Sequence, residues 1–284
     1  MKSYVAVRTM YHKQKNALQV LDHSRGKRNG FTKSANVHPQ FTHENISHYY
    51  LNTNNSADTY NKLKDLYKEA TGRKIRTDFN AIFEHVLIFS EHGYSNLESK
   101  IPSSKLKKAM MNRCKVYAEL IKKEFGFEPI SIDWHFDEGT LGSGLENDVK
   151  QKSLKRNIHC HINFFNYDFK NKRSPLRHLL VKGKNHHGRT HNLNPNFCKM
   201  QDLAAEAFKN TVFKRGTSKL ITNREHLDKE SYVKAQLHRL QKDIKFLKVQ
   251  FTELKTAILE KSLYSIANIR RQVLAMKQGL KPKR

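Results

Sequence analysis

The chain has 284 residues, 53 of them Lys or Arg and 26 Asp or Glu, for a formal net charge of +27 at pH 7. An excess of that size attracts polyanions at long range and gains from counterion release, so nucleic acid is the expected partner. No stretch is apolar enough to span a bilayer, and the three cysteines are too few and too scattered for a disulfide framework, which fits a reducing, cytoplasmic setting.

The first residues, Met-Lys-Ser-Tyr-Val-Ala-Val-Arg, lack the apolar core and cleavage site of a secretory signal, and Tyr4 to Val7 is predicted as the first strand. Helical spacing is expected over Thr59 to Ala70, followed by a strand from Phe83 to Phe89. In Lys105 to Phe125 the residues Leu106, Met110, Tyr117, Ile121 and Phe125 fall on one helical stripe. Ile130 to Phe136 alternates through Ile130, Ile132 and Trp134, and Ile158 to Phe165 forms a second strand able to pair with it. The insert Gly139 to Arg156, with glycines at 139, 142 and 144, is predicted as an exposed flexible loop. A further helix is expected over Cys198 to Val212.

From about residue 230 the pattern changes. Leu237, Leu240, Ile244, Leu247, Phe251, Leu254 and Ile258 alternate spacings of three and four, and residues 231–278 contain neither Pro nor Gly. The run slips at Ile258/Leu259 and resumes through Leu263, Ile266 and Val273. This predicts a long helix that either forms a homodimer seam over 237–276 or folds back on the preceding domain. The fold class is therefore α+β: an antiparallel-rich central sheet with the Ile158 to Phe165 strand in its middle and helices on one face, followed by a long C-terminal helix. Residues 1–228 form the first domain and 229–284 the helical segment.

The chemistry concentrates in Ser131-Ile-Asp-Trp-His135-Phe-Asp-Glu138 and Asn157-Ile-His159-Cys-His161. Side chains two apart on a strand share a face, so His159 and His161 converge, and a paired strand brings His135 with Glu138 close behind. Three imidazoles and a carboxylate make a divalent-metal site that leaves room for substrate oxygens. His186, His187 and His191 lie in a segment without apolar periodicity and are predicted to be a solvated basic loop facing phosphate at most.

A His-x-Asp-Glu segment followed by His-x-His on a strand resembles the HUH endonucleases, and its order is similar to the Mob/Pre (MobV-like) plasmid mobilisation relaxases. Supporting features are the Ser-Tyr-Val-Ala-Val-Arg strand, His23 with Arg25 close by, Tyr49 to Leu51 after an Asn/His-rich stretch, and Lys214-Arg215-Gly216 followed by Glu225-His226-Leu227. The resemblance covers residues 1 to about 235. It departs from the family in the roughly twenty residues between the two histidine motifs, a cheap enlargement for an exposed loop. It also departs at Gly26, where the family commonly has the arginine of its first motif.

The resemblance implies a relaxase that nicks and rejoins one DNA strand at a plasmid transfer origin through a covalent link to a 5′ phosphate. It implies a bacterial, plasmid-encoded protein. His135, His159 and His161 would hold Mn2+ or Mg2+, with Zn2+ also compatible with imidazole ligands. Glu138 would stand at the remaining face, His23 would attack with Arg25 positioning it, and Tyr49 or Tyr50 are the alternative nucleophiles. Lys27, Arg28, Arg156 and Arg215 are the expected DNA contacts. Two rival functions are a rolling-circle replication initiator, with Tyr232 as the later tyrosine, and a non-catalytic basic nucleic-acid-binding protein.

Overall fold

The computed structural model describes residues 3–24, 37–141, 154–179, 194–217 and 229–277. In chain order the first unit contains β1 (Tyr4–Lys13), α1 (Ala17–Ser24), β2 (Ile46–Tyr49), α2 (Ser56–Thr71), β3 (Asn80–Phe89), α3 (Glu91–Glu98) and α4 (Ser103–Phe125). There follow β4 (Glu128–His135), β5 (Gly139–Leu141), β6 (Leu154–Arg156), β7 (His159–Phe165), α5 (Leu176–Leu179), α6 (Pro195–Ala207) and β8 (Lys214–Arg215). The chain divides into two compact units, Met1–Gly216 and Thr217–Arg284. The second contains α7 (Lys229–Lys277), which continues without interruption through the heptad slip at Ile258/Leu259.

The main sheet has six strands in the order β2-β4-β7-β3-β1-β8, antiparallel throughout except for the short parallel pair β1 and β8. The His-x-His strand, β7, is buried along its whole length between β4 and β3. All four predicted strands are present, β4 ending one residue before the expected Phe136 and β7 starting one residue after the expected Ile158; β1 runs six residues past Val7 because its partner β3 begins at Asn80 and offers backbone groups to pair with.

Helices cover both faces of this sheet, not one as the sequence led us to expect. On one face, Phe83, Leu87 and Phe89 of β3, Ile132 and Trp134 of β4, and Cys160, Ile162 and Phe164 of β7 pack with Leu106, Met110, Cys114, Tyr117 and Ile121 of α4 and Met200 and Leu203 of α6. On the other, Ala17 and Leu21 of α1 and Tyr60 and Leu63 of α2 pack on Ile82, Ile130 and Phe165. The adjacent pairs Ile82/Phe83 and Phe164/Phe165 show the cause: neighbouring apolar residues on a strand must point to opposite faces, and each needs cover. Ile130 was expected on the face of Ile132 and Trp134, but the register shifts between Pro129 and Ser131, and Ile130 joins the opposite cluster.

Helix α4 ends at Gly126, whose φ of 84° is left-handed and whose N–H donates to Lys122 O at 2.8 Å. A Cβ at this position would collide with the Asp168 side chain, so glycine is required on two counts. The insert between the histidine strands is partly ordered, with β5 and β6 pairing as an antiparallel ribbon through Gly139↔Arg156 and Leu141↔Leu154. Among the described residues no helix is long and apolar enough to cross a membrane.

Candidate metal centre

The face of the sheet that carries α1 also carries the histidines, laid out in lateral rows by the strand register. Ile88, His159 and His135 form one row. The next runs across five strands through Arg8, Val86, His161, Asp133 and Ser47, and a third through Met10, Glu84, Asn163, Ser131 and Tyr49. His135, His159 and His161 are all buried, and one ligand atom from each lies within 4.8 Å of the others. Their ring centroids are 4.8, 4.9 and 5.1 Å apart.

The outer nitrogens of two rings are already committed. His159 Nδ1 donates to Asn157 O at 2.7 Å, and His161 Nδ1 donates to Glu84 Oε1 at 2.6 Å. Each acceptor fixes the proton on Nδ1 and leaves the Nε2 lone pair for an ion, the usual way in which a neighbouring group orients a metal-ligating histidine. His135 differs: Nε2 donates to Ser24 O at 2.7 Å and Nδ1 faces Glu138 Oε1 at 3.4 Å. Both nitrogens thus act as donors, and binding an ion would release one of these bonds together with its proton. Three buried imidazoles in reach of one point suit a divalent transition ion, with some closure needed to reach metal–nitrogen distances of about 2.0–2.2 Å.

The electrostatics agree with this division. Burial, reinforced by the neighbouring His161 and His135, lowers the His159 pKa to about 3, so this ring is neutral and able to ligate. Burial also acts to lower that of His135, but the Glu138 and Ser24 hydrogen bonds outweigh it and raise it above the ordinary value. Glu84 is buried, yet His12 and His161 hold its carboxyl well below the usual carboxylate range. Its second oxygen accepts from His12 Nε2 at 2.8 Å, giving a continuous His12-Glu84-His161 chain from β1 to β7. The C-terminal end of α1 reaches the cluster through Ser24 O, and a helix C-terminus favours positive charge beside it.

His23, one residue before that carbonyl, stands edge-on to His161 with ring centroids 5.9 Å apart and stays open to solvent. Burial of part of the ring, with the charges of His161 and His135, lowers its pKa. Glu138 is brought to the cluster, behind His135. Tyr49 lies on the same face, in the row of Ser131, one strand outward from β4. Tyr50 does not: it packs against the α4 side, where burial followed by Glu119, Cys114 and Cys160 raises its pKa well above that of a free tyrosine.

Two of the predicted DNA contacts are engaged within the protein. Arg156 forms a two-pronged pair with Glu44 (3.1 Å for each nitrogen), which also accepts from Lys107, and Arg215 is paired with Asp202. Arg25, Lys27 and Arg28 lie outside the described residues, as do the His186 to His191 cluster and Glu225-His226-Leu227. Sequence reasoning passed over Glu84, although a Glu-His pair inside Ala-Ile-Phe-Glu-His-Val-Leu-Ile-Phe was a legible anomaly, since charged groups are seldom placed in a strand buried on both faces unless they are paired. The second member, His85, faces the α4 core and bonds Tyr117 Oη at 2.8 Å.

No protein-family model and no curated protein matches this sequence. Solved structures do match in fold. The MobM relaxase domain (MOBV; Mob_Pre), Mn-bound and in complex with a 22-nucleotide plasmid pMV158 oriT DNA, superposes with a TM-score of 0.56 at 14% identity over 82% of this chain and 99% of that one. The same domain with a 22-nucleotide DNA carrying a 3′ thiophosphate gives 0.55 at 12% identity, over 82% and 98%. A complex with a 23-nucleotide DNA gives 0.54 at 13%, again over 82% and 98%. The expected relaxase-like α+β fold is therefore present, with β7 inside its sheet.

Removing the Glu84 carboxylate should loosen His161. Glu84→Gln is expected to weaken Mn2+ binding about 10- to 100-fold by isothermal calorimetry, the usual effect of losing an orienting partner. An unchanged affinity would reduce Glu84 to a structural role.

Proposed function

We propose that this chain is a metal-dependent relaxase that nicks and rejoins one strand of DNA at a plasmid transfer origin through a covalent protein–5′-phosphate intermediate. The observation that carries the reading is the convergence of His23, His135, His159 and His161, from α1, β4 and β7, on one face of a sheet that has the fold of the MobM relaxase domain. A net charge of +27 supports a nucleic-acid substrate. The non-catalytic binding reading gives no reason for three buried imidazoles, each with a fixed hydrogen-bond partner, to meet at one point.

His135, His159 and His161 would hold the ion, Mn2+ or Mg2+ in this reading, with Zn2+ also suited to an all-imidazole set. When bound, such an ion neutralises charge developing on a non-bridging oxygen of the scissile phosphate. Glu84 and the Asn157 carbonyl keep two of the rings aimed, and Glu138 takes up the proton-bearing side of His135. His23 supplies the nucleophile. Its neutral imidazole forms the P–N bond as the P–O3′ bond breaks; the leaving oxygen gains a proton as the 3′ hydroxyl, and the phosphohistidine loses its ring N–H proton. Because the phosphoryl bond persists in the adduct, attack by a 3′ hydroxyl reverses the sequence and reseals the strand. Arg25 is proposed to position His23 or its phosphate, and Tyr49 is the alternative nucleophile on this face.

The test is to incubate the chain with supercoiled plasmid bearing a transfer origin and Mn2+ and to look for relaxed circles carrying bound protein. The double variant His159→Ala/His161→Ala should lose nicking while retaining most DNA affinity. His23→Ala should retain metal and DNA binding and form no adduct, and the wild-type adduct should be released by mild acid, as a P–N bond is and a tyrosyl ester is not. Normal nicking by the double variant in metal-stripped buffer would remove the metal role, and adduct formation by His23→Ala would remove the nucleophile.

Helix α7 is proposed to pair with a second copy of this chain. Leu237, Leu240, Ile244, Leu247, Phe251, Leu254 and Ile258 are all more than half exposed along one seam. With Leu240, Leu247 and Leu254 at the d positions and Ile244 and Ile258 at a, the sequence favours a two-stranded parallel arrangement, which also sets Asp243 of one helix against Lys248 of the other. Each buried seam residue contributes roughly 1.5–3 kcal/mol. Sedimentation should give a dimer for the full chain and a monomer for Leu240→Glu/Leu247→Glu; equal masses for both would refute the dimer seam.

A further inference from the structure

Arg8 lies in the row that crosses the candidate centre, opposite Val86, which is itself opposite His161. Val5 and Val7 point into the α4 and α6 core, so strand alternation turns Arg8 to the histidine face. Two inter-strand steps of about 4.8 Å put its Cα roughly 10 Å from that of His161, a span that an extended arginine side chain largely covers. The residue is exposed and makes no hydrogen bond or ion pair among the described residues. Its lateral neighbour Val86 offers no acceptor, and both oxygens of the nearby Glu84 are occupied by imidazoles. Arg156 and Arg215, by contrast, have carboxylate partners.

An unpaired guanidinium beside a cation site is repelled by the ion unless an anion lies between them. We propose that Arg8 binds the scissile phosphate, its planar fork engaging a non-bridging oxygen on the β1 side of the histidine cluster. The proposal rests on the relaxase reading above and adds a substrate-binding residue to it. It also gives the face a direction: the strand crosses from the histidines toward β1, over the small side of the sheet occupied by Ala6 and Val86.

The test measures binding of full-length protein to a single-stranded origin oligonucleotide in Mn2+, with either a native phosphate or a methylphosphonate at the nick position. On the native strand, Arg8→Gln should bind about 10-fold more weakly, and its log K against log salt slope should be smaller by about 0.7, the value for one phosphate contact on a single strand. On the methylphosphonate strand, which carries no charge at that position, Arg8→Gln and wild type should bind alike. Arg8→Lys keeps the charge without the fork and should fall between them; it serves also if the glutamine variant does not fold. Equal losses on both strands, or none on either, would overturn the proposal. Adduct formation by the wild-type chain reports separately on the relaxase reading: an adduct with an indifferent Arg8 sinks only this inference.

Discussion

Strand β7 is covered on both faces, and its two-residue repeat sends Cys160, Ile162 and Phe164 into the apolar layer beneath α4 and α6 while His159, His161 and Asn163 take the other side. A slip of one residue in its pairing would exchange the two sets, burying imidazoles in the aromatic core and turning Phe164 toward α1. The register is held from both sides, by Val86↔His161 and Ile88↔His159 toward β3 and by Asp133↔His161 and His135↔His159 toward β4. The stacked rings of Phe89, Trp134 and Phe136, with centroids 5.0 and 5.7 Å apart, anchor the apolar side of the same strands. The packing that stabilises the sheet is thus also what aligns the nitrogens.

Burying three imidazoles side by side is costly, and the surrounding polar groups offset that cost selectively. His159 is held neutral by its burial, and the outer nitrogens of His159 and His161 are both bonded, whereas His135 sits between Glu138 and the Ser24 carbonyl in a setting that favours its charged form. A cation bound by the three rings would take the place of a proton on His135, so little charge would have to be created in the interior. Helix α1 links this cluster to the candidate nucleophile directly: Ser24 touches His135 and the preceding His23 stands against His161.

Much of this was legible in the sequence where the signal is local. Alternation located β4 and β7, helical spacing located α4 and α7, and the His-x-His spacing identified a shared face without any knowledge of the fold. What escaped was set by strand order. Glu84 bonds His161 across 77 residues of sequence, and Arg8, 153 residues away, shares its lateral row through Val86 of β3; no short motif records either placement. The doubled helical cover was missed although Phe164 and Phe165, adjacent within the predicted strand Ile158 to Phe165, must point to opposite faces and so require two covers. Charge counting could not separate the arginines: Arg156, Arg215 and Arg8 are alike in composition, and only the fold pairs the first two with Glu44 and Asp202.

The central claim is that strand transfer passes through the histidine of α1, and the most direct measurement is to map the attachment site. After reaction with origin DNA and nuclease trimming, tryptic digestion would release Asn16–Arg25, a peptide with one histidine, His23, and no tyrosine. The account predicts that this peptide carries the residual nucleotide phosphate, detected by mass spectrometry under alkaline conditions that preserve a P–N bond. A nucleotide found instead on the peptide 34–62, which contains Tyr49 and Tyr50, would contradict it, as would the absence of any modified peptide in a preparation that binds both metal and DNA.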